Sequence, residues 1–143
     1  MPKRESRATW RGGLSEGRGT MKLGSGAFEG NFSFRSRVEE DGRKDTNPEE
    51  LIGAALSGCF SMMLSSLLGK EGFTPQEINS KALVHFDNSG GEYGIQRIEL
   101  FTEAVVPGID RNKFLTLAQR AASECPVSRA LKVPVNLEAA LRQ

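Results

Sequence analysis

The first third of the chain carries short β-favouring runs that are separated by glycine. In the third run Phe32 and Phe34 alternate with polar residues, which is the spacing of a strand with one buried face. The charged stretch after it, Glu39–Asp45, contains a glycine and is predicted to be a loop. The pattern therefore predicts a three-stranded meander over Ser6–Arg11, Gly19–Leu23 and Gly30–Val38.

A long apolar segment follows, and it opens with the features of a helix N-terminus. Thr46 and Asn47 offer capping side chains, Pro48 suits the first helical position, and two glutamates follow in the first turn. From Leu51 to Leu68 apolar residues occupy nearly every face. We therefore predict a helix over about residues 47–69 that is buried on all sides. Serines interrupt the segment, so we expect neither a membrane span nor a signal peptide.

The C-terminal half of the chain, residues 75–143, mixes strands with one more helix. Ile78–Asp87 and Gly94–Val106 are predicted strands, and a glycine-rich turn between them indicates a hairpin. Asp110 caps a second helix, which Pro126 ends just after Cys125. A final strand around residues 133–137 contains a proline and is therefore expected at a sheet edge.

The elements are grouped rather than strictly alternating, which favours an α+β fold. With 143 residues, we expect a single domain over 1–143, built from a strand-rich N-terminal segment (residues 1–45), the central helix, and residues 75–143. The sequence has 19 basic and 18 acidic residues, so it lacks the excess of positive charge that is typical of a nucleic-acid-binding protein. His85 is the one histidine, so we predict no multi-histidine metal site and give His85 no role.

Two cysteines remain, and without an export signal we expect a cytoplasmic protein in which thiols stay reduced. By position alone, Cys59 fits a small buried apolar residue. Cys125 precedes Pro126 at a helix exit and is easier to reach. If the two approach each other, they match a thiolate that attacks a peroxide and a second thiol that captures the resulting sulfenic acid.

Such a thiolate needs a cation beside it and a carboxylate that orients the cation. Glu49 and Glu50 offer carboxylates, although first-turn glutamates also stabilise a helix by roughly 0.3–1 kcal/mol each. Ten helical residues place Glu49 roughly 15 Å from Cys59. If Glu49 and Cys59 belong to one site, either the helix bends or a second subunit supplies one of the two residues. Because a helix that is apolar on nearly every face needs more cover than this short chain provides, we expect an intertwined homodimer. The candidate cations are Arg18, Arg35 and Arg37.

Four motifs, in order along the chain, resemble the osmotically inducible protein C branch of the OsmC/Ohr family of hydroperoxide reductases. They span residues 46–55 (TNPEELIGAA), 58–62 (GCFSM), 106–110 (VPGID) and 125–128 (CPVS). The resemblance covers nearly the whole chain. It implies a two-lobed α+β fold, with antiparallel sheets around a buried central helix and two sites at the interface of an intertwined homodimer.

The resemblance also implies an activity: reduction of organic hydroperoxides, in preference to hydrogen peroxide, during oxidative or osmotic stress. Cys59 is then the peroxidatic thiol, Cys125 the resolving thiol, and Glu49 the carboxylate that orients an arginine. In this branch of the family, the segment that supplies the arginine resembles residues 34–37 of this chain, which favours Arg37. In the sister branch the arginine stands at a position that resembles residues 17–19, so Arg18 is the alternative. No cofactor is implied; the reductant is an external dithiol, a role that a lipoylated protein fills in the sister branch.

Two other functions are compatible with portions of the sequence. A non-enzymatic dimer that binds a hydrophobic ligand would use the apolar helix and leave both cysteines inert. An RNA-binding module is suggested by the GXXG pattern at Gly69–Gly72, but Glu71 within it opposes a phosphate and a helix C-cap explains both glycines. We expect no nucleic-acid or membrane partner.

Overall fold

The computed structural model describes residues 1–40 and 44–142, which form an α+β fold of two three-stranded sheets and helices. The chain divides into two compact units, Met1–Leu51 and Ile52–Gln143. The prediction of a single domain over 1–143 stays a prediction. In chain order the elements are β1 Ser6–Arg11, β2 Arg18–Leu23, β3 Glu29–Phe32, α1 Phe34–Val38, α2 Pro48–Lys70, β4 Glu77–Asp87, β5 Gly94–Val105, α3 Arg111–Glu124, α4 Pro126–Ala130 and β6 Val135–Arg142.

The first unit contains the predicted meander, with strand order β1-β2-β3 and antiparallel pairing throughout. On one face the rings of Trp10 and Phe32 lie 5.5 Å apart. Gly19 lies between them, and a Cβ at this position would come within 2.5 Å of the Phe32 ring. Only glycine therefore lets the two aromatic rings close over the sheet.

The third predicted strand, Gly30–Val38, is wrong in its second half. β3 ends at Phe32, and residues 34–38 form the short helix α1. Ser33 caps this helix: its Oγ accepts from the N–H of Ser36, and the Ser36 Oγ accepts from the N–H of Ser33. This reciprocal capping box stabilises a helical turn more than the alternation of two phenylalanines favours a strand. Of the predicted loop Glu39–Asp45, residues 41–43 lie outside the described residues.

The second unit contains the predicted hairpin, in which β4 and β5 pair antiparallel with a bulge between His85 and Phe86. β6 spans Val135–Arg142, so the predicted strand around residues 133–137 began too early and Pro134 lies before the strand rather than within it. The strand lies at the edge of this sheet, as predicted, but it pairs parallel to β5. The expectation of purely antiparallel sheets is therefore wrong. The physical reason is the connection from β5 to β6, which passes through α3 and α4 and forms the long crossover that parallel neighbours require.

The central helix α2 is confirmed, but it is not buried on all sides. Leu56, Phe60, Leu64 and Leu68 are fully buried at a spacing of four residues and pack in the core with residues of β5 and α3. Met62 is 76% exposed, and Ala54, Ala55 and Gly58 are exposed as well. Within one chain, the core covers only one face of α2. Its length and composition would suit a membrane span, whereas the buried leucine stripe is typical of a core helix.

Gly72 forms the predicted helix C-cap, whereas Gly69 lies within α2, so the C-cap explains only one of the two glycines. Gly72 has a φ of +89°, and the N–H of Phe73 donates to the carbonyl of Leu68 at 2.9 Å. Glu71 pairs with Lys113 at 2.6 Å. The GXXG pattern at residues 69–72 is therefore the C-terminal end of α2, and its Glu71 forms an ion pair with α3.

α3 begins and ends where the sequence predicts. The side chain of Asp110 accepts from the N–H of Lys113 at 3.1 Å, and the N–H of Cys125 closes the last turn on the carbonyl of Ala121 at 3.1 Å. Pro126 then starts the five-residue helix α4, which we did not predict. Proline suits a first helical position because no intrahelical partner awaits its nitrogen. Cys125 therefore lies at the corner between two helices.

Candidate active site

The two cysteines lie together in the second unit, and both are free thiols. Cys59 projects from the middle of α2 and is partly buried, whereas Cys125 is fully buried at the α3–α4 corner. The expectation that Cys125 is the easier thiol to reach is therefore wrong, because the helix exit at Pro126 leads directly into α4 and Cys125 itself lies in the core. The thiol of Cys59 is within hydrogen-bonding distance of the side chain of Cys125. This proximity is what a redox pair requires, and the roles of the two thiols stay predictions.

The surroundings of Cys59 hold its pKa above the ordinary value for a thiol. Burial is the largest cause, because it disfavours the charged thiolate, and the hydrogen bond to Cys125 raises the pKa further. The backbone N–H of Val127 acts in the opposite direction by donating to the Cys59 sulfur. Among the described residues, no cation contributes to the balance at Cys59. A reactive thiolate at Cys59 therefore requires positive charge from elsewhere.

The first unit contains an ion pair between Arg37 and Glu49. The guanidinium of Arg37 donates to Oε1 of Glu49 through Nε at 2.8 Å, and a terminal nitrogen lies 2.7 Å from the same oxygen. The Glu49 side chain is only 7% exposed, while that of Arg37 is 39% exposed. The second oxygen, Oε2, is buried and has no hydrogen-bond partner in the described portion of the chain. Glu49 thus holds one side of the guanidinium of a side chain that is partly exposed.

Local hydrogen bonds explain why Arg37 lies beside Glu49. The Ser36 hydroxyl donates to the carbonyl of Thr46 at 2.8 Å, and the Asn47 amide donates to the carbonyl of Ser36 at 3.1 Å. These bonds tie α1 to the start of α2, although residues 39–47 separate the two helices in sequence. Ser36, the partner of Ser33 in the capping box of α1, therefore places the arginine one residue later.

The other two candidate arginines have different surroundings. Arg35 pairs with Glu39 at 2.6 Å on the exposed side of α1. Arg18 lies on β2, directly opposite Arg11 on β1. Glu49 is paired with Arg37 alone of the three candidates, which supports the choice of Arg37. The catalytic roles of Cys59, Cys125, Arg37 and Glu49 remain predictions.

Two features of the site were missed by sequence reasoning. One is the N–H of Val127, which the Cys-Pro pair signals, because proline favours a helix start and the first amides of a helix have no intrahelical partner. The other is a chain of hydroxyls from Ser61 to Ser80 at 2.8 Å and on to Thr102 at 3.1 Å. It links α2 to β4 and β5 two residues after Cys59. The serines within the apolar helix segment, Ser61 among them, were the sequence feature that could have indicated these hydrogen bonds.

A metal centre has no support in the described residues, where no three His, Cys, Asp or Glu side chains form a candidate group. The chemistry that the arrangement can perform is thiol chemistry. A partly buried thiol has a second thiol in contact, and an arginine fixed by a buried carboxylate is available in the same chain.

Comparison with known proteins relates the whole chain to one family. The profile described as OsmC-like protein matches residues 40–139. Peroxiredoxin OsmC of Escherichia coli K12 is 42% identical over 140 residues, covering 97% of this chain and 96% of the relative. An organic hydroperoxide resistance protein of Xanthomonas axonopodis pv. citri is 28% identical over 107 residues, covering 74% of this chain and 73% of the relative.

Solved structures share the fold. An OsmC-like protein of unknown function from Vibrio cholerae has a TM-score of 0.77 at 19% identity, covering 97% of this chain and 99% of the other. The organic hydroperoxide resistance protein OhrB of Bacillus subtilis has a TM-score of 0.67 at 23% identity, covering 96% and 98%. The α+β fold expected from the sequence is confirmed.

Proposed function

Because the chain belongs to the OsmC-like family, we propose that it is a thiol-dependent peroxidase that reduces organic hydroperoxides to alcohols. The names of the E. coli and Xanthomonas relatives indicate peroxide-related redox chemistry. The observation that carries the proposal is the contact between two free thiols, Cys59 and Cys125. The role expected for this chemistry is antioxidant defence during oxidative or osmotic stress.

The proposed reaction balances with two thiols and one hydroperoxide. The Cys59 thiolate attacks the oxygen that carries the hydrogen, the O–O bond breaks, and the alkoxide leaves and takes up the proton that Cys59 released. Cys59 is now a sulfenic acid. The Cys125 sulfur attacks it, a disulfide forms, and the sulfenic oxygen leaves as water. An external dithiol then reduces the disulfide by exchange, and a lipoylated protein is one source of such a dithiol.

Arg37 is proposed to stabilise the Cys59 thiolate and to polarise the peroxide, with Glu49 holding the guanidinium. The need for a cation follows from the raised pKa of Cys59. Because ten residues of one helix separate Glu49 from Cys59, roughly 15 Å if straight, we propose that a second subunit supplies Arg37 and Glu49. The exposed apolar side chain of Met62 on α2 supports such a dimer.

A peroxidase assay tests the proposal. Consumption of cumene hydroperoxide and hydrogen peroxide would be compared, with dihydrolipoamide as reductant. We expect faster consumption of the organic peroxide, loss of activity in Cys59→Ser, and loss of turnover in Cys125→Ser. Ser123→Ala, an exposed position on α3, serves as control. Inactivity of the wild type with both thiols reduced would contradict the proposal and favour the non-enzymatic ligand-binding dimer.

A further inference from the structure

One face of the first sheet carries polar side chains from all three strands. The register places Thr9, Thr20 and Asn31 in one row across β1, β2 and β3. Arg11 and Arg18 form the neighbouring row at the end of the hairpin. A cavity of about 290 Å³ lies on these residues, and Asp45 also lines it. This volume suits a small ligand rather than a large one.

The two arginines lie directly opposite each other on neighbouring strands. Directly opposite residues in an antiparallel pair have Cβ atoms about 4.5–5.5 Å apart, and like charges there are destabilising. In the described portion of the chain, neither Arg11 nor Arg18 has a carboxylate within 4.0 Å. The carboxylate of Glu16, in the connecting loop, instead accepts from the N–H of Gly13 at 2.8 Å. An anion bound between the guanidinium groups would remove the repulsion.

The hairpin end that carries the arginines is held by its own hydrogen bonds. The indole N–H of Trp10 donates to the carbonyl of Gly12 at 2.9 Å, and the N–H of Gly17 donates to the carbonyl of Gly13 at 2.8 Å. The backbone at Arg11 and Arg18 is therefore fixed before a ligand arrives. Such preorganisation lowers the entropy cost of binding.

We propose that this cavity binds a hydrogen phosphate group, with Arg11 and Arg18 pairing with its oxygens. Guanidinium groups match phosphate because each can donate two parallel hydrogen bonds. Thr9, Thr20 and Asn31 add neutral donors. The carboxylate of Asp45 accepts the P–OH hydrogen, which sulfate lacks at neutral pH. The site therefore prefers phosphate to sulfate, and the preference depends on Asp45.

Titration of the full chain with inorganic phosphate, followed by two-dimensional NMR at constant ionic strength, tests the proposal. We expect saturable shifts at residues of β1 and β2, with sulfate binding more weakly. Arg11→Gln and Arg18→Gln each weaken phosphate binding by about tenfold or more, since each loses a charge-assisted pair. Arg7→Gln is the matched control, because Arg7 lies on the same face of β1 but is paired with Glu5 at 3.1 Å.

Further outcomes separate the site from general charge and from misfolding. Asp45→Asn should reduce the preference for phosphate over sulfate. Thermal midpoints of Arg11→Gln and Arg18→Gln should not fall, because each substitution relieves a like-charge contact. Glycerol phosphate binding more tightly than inorganic phosphate assigns the site to a phosphorylated metabolite; the reverse order assigns it to free phosphate. Non-saturable shifts, or equal weakening by Arg7→Gln, overturn the proposal.

Discussion

At the residue scale, the reactivity of Cys59 depends on a balance between burial, its neighbouring thiol and one backbone amide. Burial and Cys125 raise the pKa of Cys59, while the N–H of Val127 lowers it. A raised pKa means that the thiolate fraction at neutral pH is smaller than for an ordinary cysteine. Of these contributions, that of the Cys125 side chain can be removed by a single substitution.

Replacement of Cys125 by alanine removes two of the causes that raise the pKa of Cys59. We therefore expect the pKa of Cys59 to fall in Cys125→Ala, so that iodoacetamide alkylates Cys59 faster at neutral pH. The measurement is the alkylation rate of Cys59 from pH 5 to 10, read by peptide mass spectrometry. An unchanged or higher pKa would show that Cys125 does not act on Cys59 as the structure implies.

Arg37→Gln should affect both stability and catalysis. It leaves the buried Glu49 carboxylate unpaired, and because Arg37 is itself partly exposed we expect a loss of about 2 kcal/mol in the free energy of unfolding. It also removes the proposed cation, so kcat/KM for cumene hydroperoxide should fall by roughly 100-fold or more. Urea denaturation and peroxidase kinetics measure the two effects.

Arg35→Gln is the matched control, since Arg35 lies on the same short helix and pairs with the exposed Glu39. Its effect on stability should stay below about 1 kcal/mol, as for other surface ion pairs. Equal kinetic losses in Arg35→Gln and Arg37→Gln would argue that neither arginine has a specific role.

The candidate site residues could be selected from sequence, but their contacts could not. Cys59, Cys125 and Glu49 stand in motifs whose order along the chain is readable, whereas Arg37 was one of three candidate arginines. The choice between Arg35 and Arg37 depends on which side of a helical turn faces Glu49, and the sequence reasoning placed both on a strand. The pKa of Cys59 depends on the distance to Cys125, which no local pattern contains.

At the element scale, α2 owes its stability to one stripe of side chains. Leu64→Ala should lower the free energy of unfolding by about 2–5 kcal/mol, because a fully buried side chain is replaced by a cavity. Ser65→Ala, at the exposed neighbouring position, should change it by less than about 0.5 kcal/mol. Urea denaturation at one fixed protein concentration compares them. Similar losses in both variants would contradict the core assignment.

The elements that sequence predicted are those with local signals. The start of α2, the β4–β5 hairpin and the Asp110 cap are each specified by neighbouring residues. The direction of β6 is not, because a strand's own residues do not fix its partner's orientation; the crossover does. α1 was missed because its capping serines stand inside a stretch that also alternates like a strand.

At the scale of the whole molecule, the proposed dimer accounts for the apolar side of α2 that one chain leaves exposed. Met62→Glu would place a charge on this side. If a second copy covers it, the variant should be monomeric, or a much weaker dimer than the wild type, in analytical ultracentrifugation. A dimer of unchanged affinity would exclude this face of α2 from the interface.

Shared sites can be tested by mixing two inactive chains. Cys59→Ser and Arg37→Gln, unfolded together in equal amounts and refolded, form half heterodimers on random pairing, each with one intact site if Arg37 acts across the interface. We expect about a quarter of wild-type activity. No recovery, with heterodimers confirmed by differently tagged chains, would place Cys59 and Arg37 of one site in the same subunit.

The central claim is that Cys59 reacts with the peroxide and Cys125 resolves the product. Intact mass spectrometry after one equivalent of cumene hydroperoxide, without reductant, tests it most directly. The account predicts that the wild type loses two hydrogens as a disulfide forms, that Cys125→Ser gains one oxygen, and that Cys59→Ser keeps its mass. Oxidation of Cys125 in Cys59→Ser at the wild-type rate, or an unchanged wild-type mass, would contradict the account.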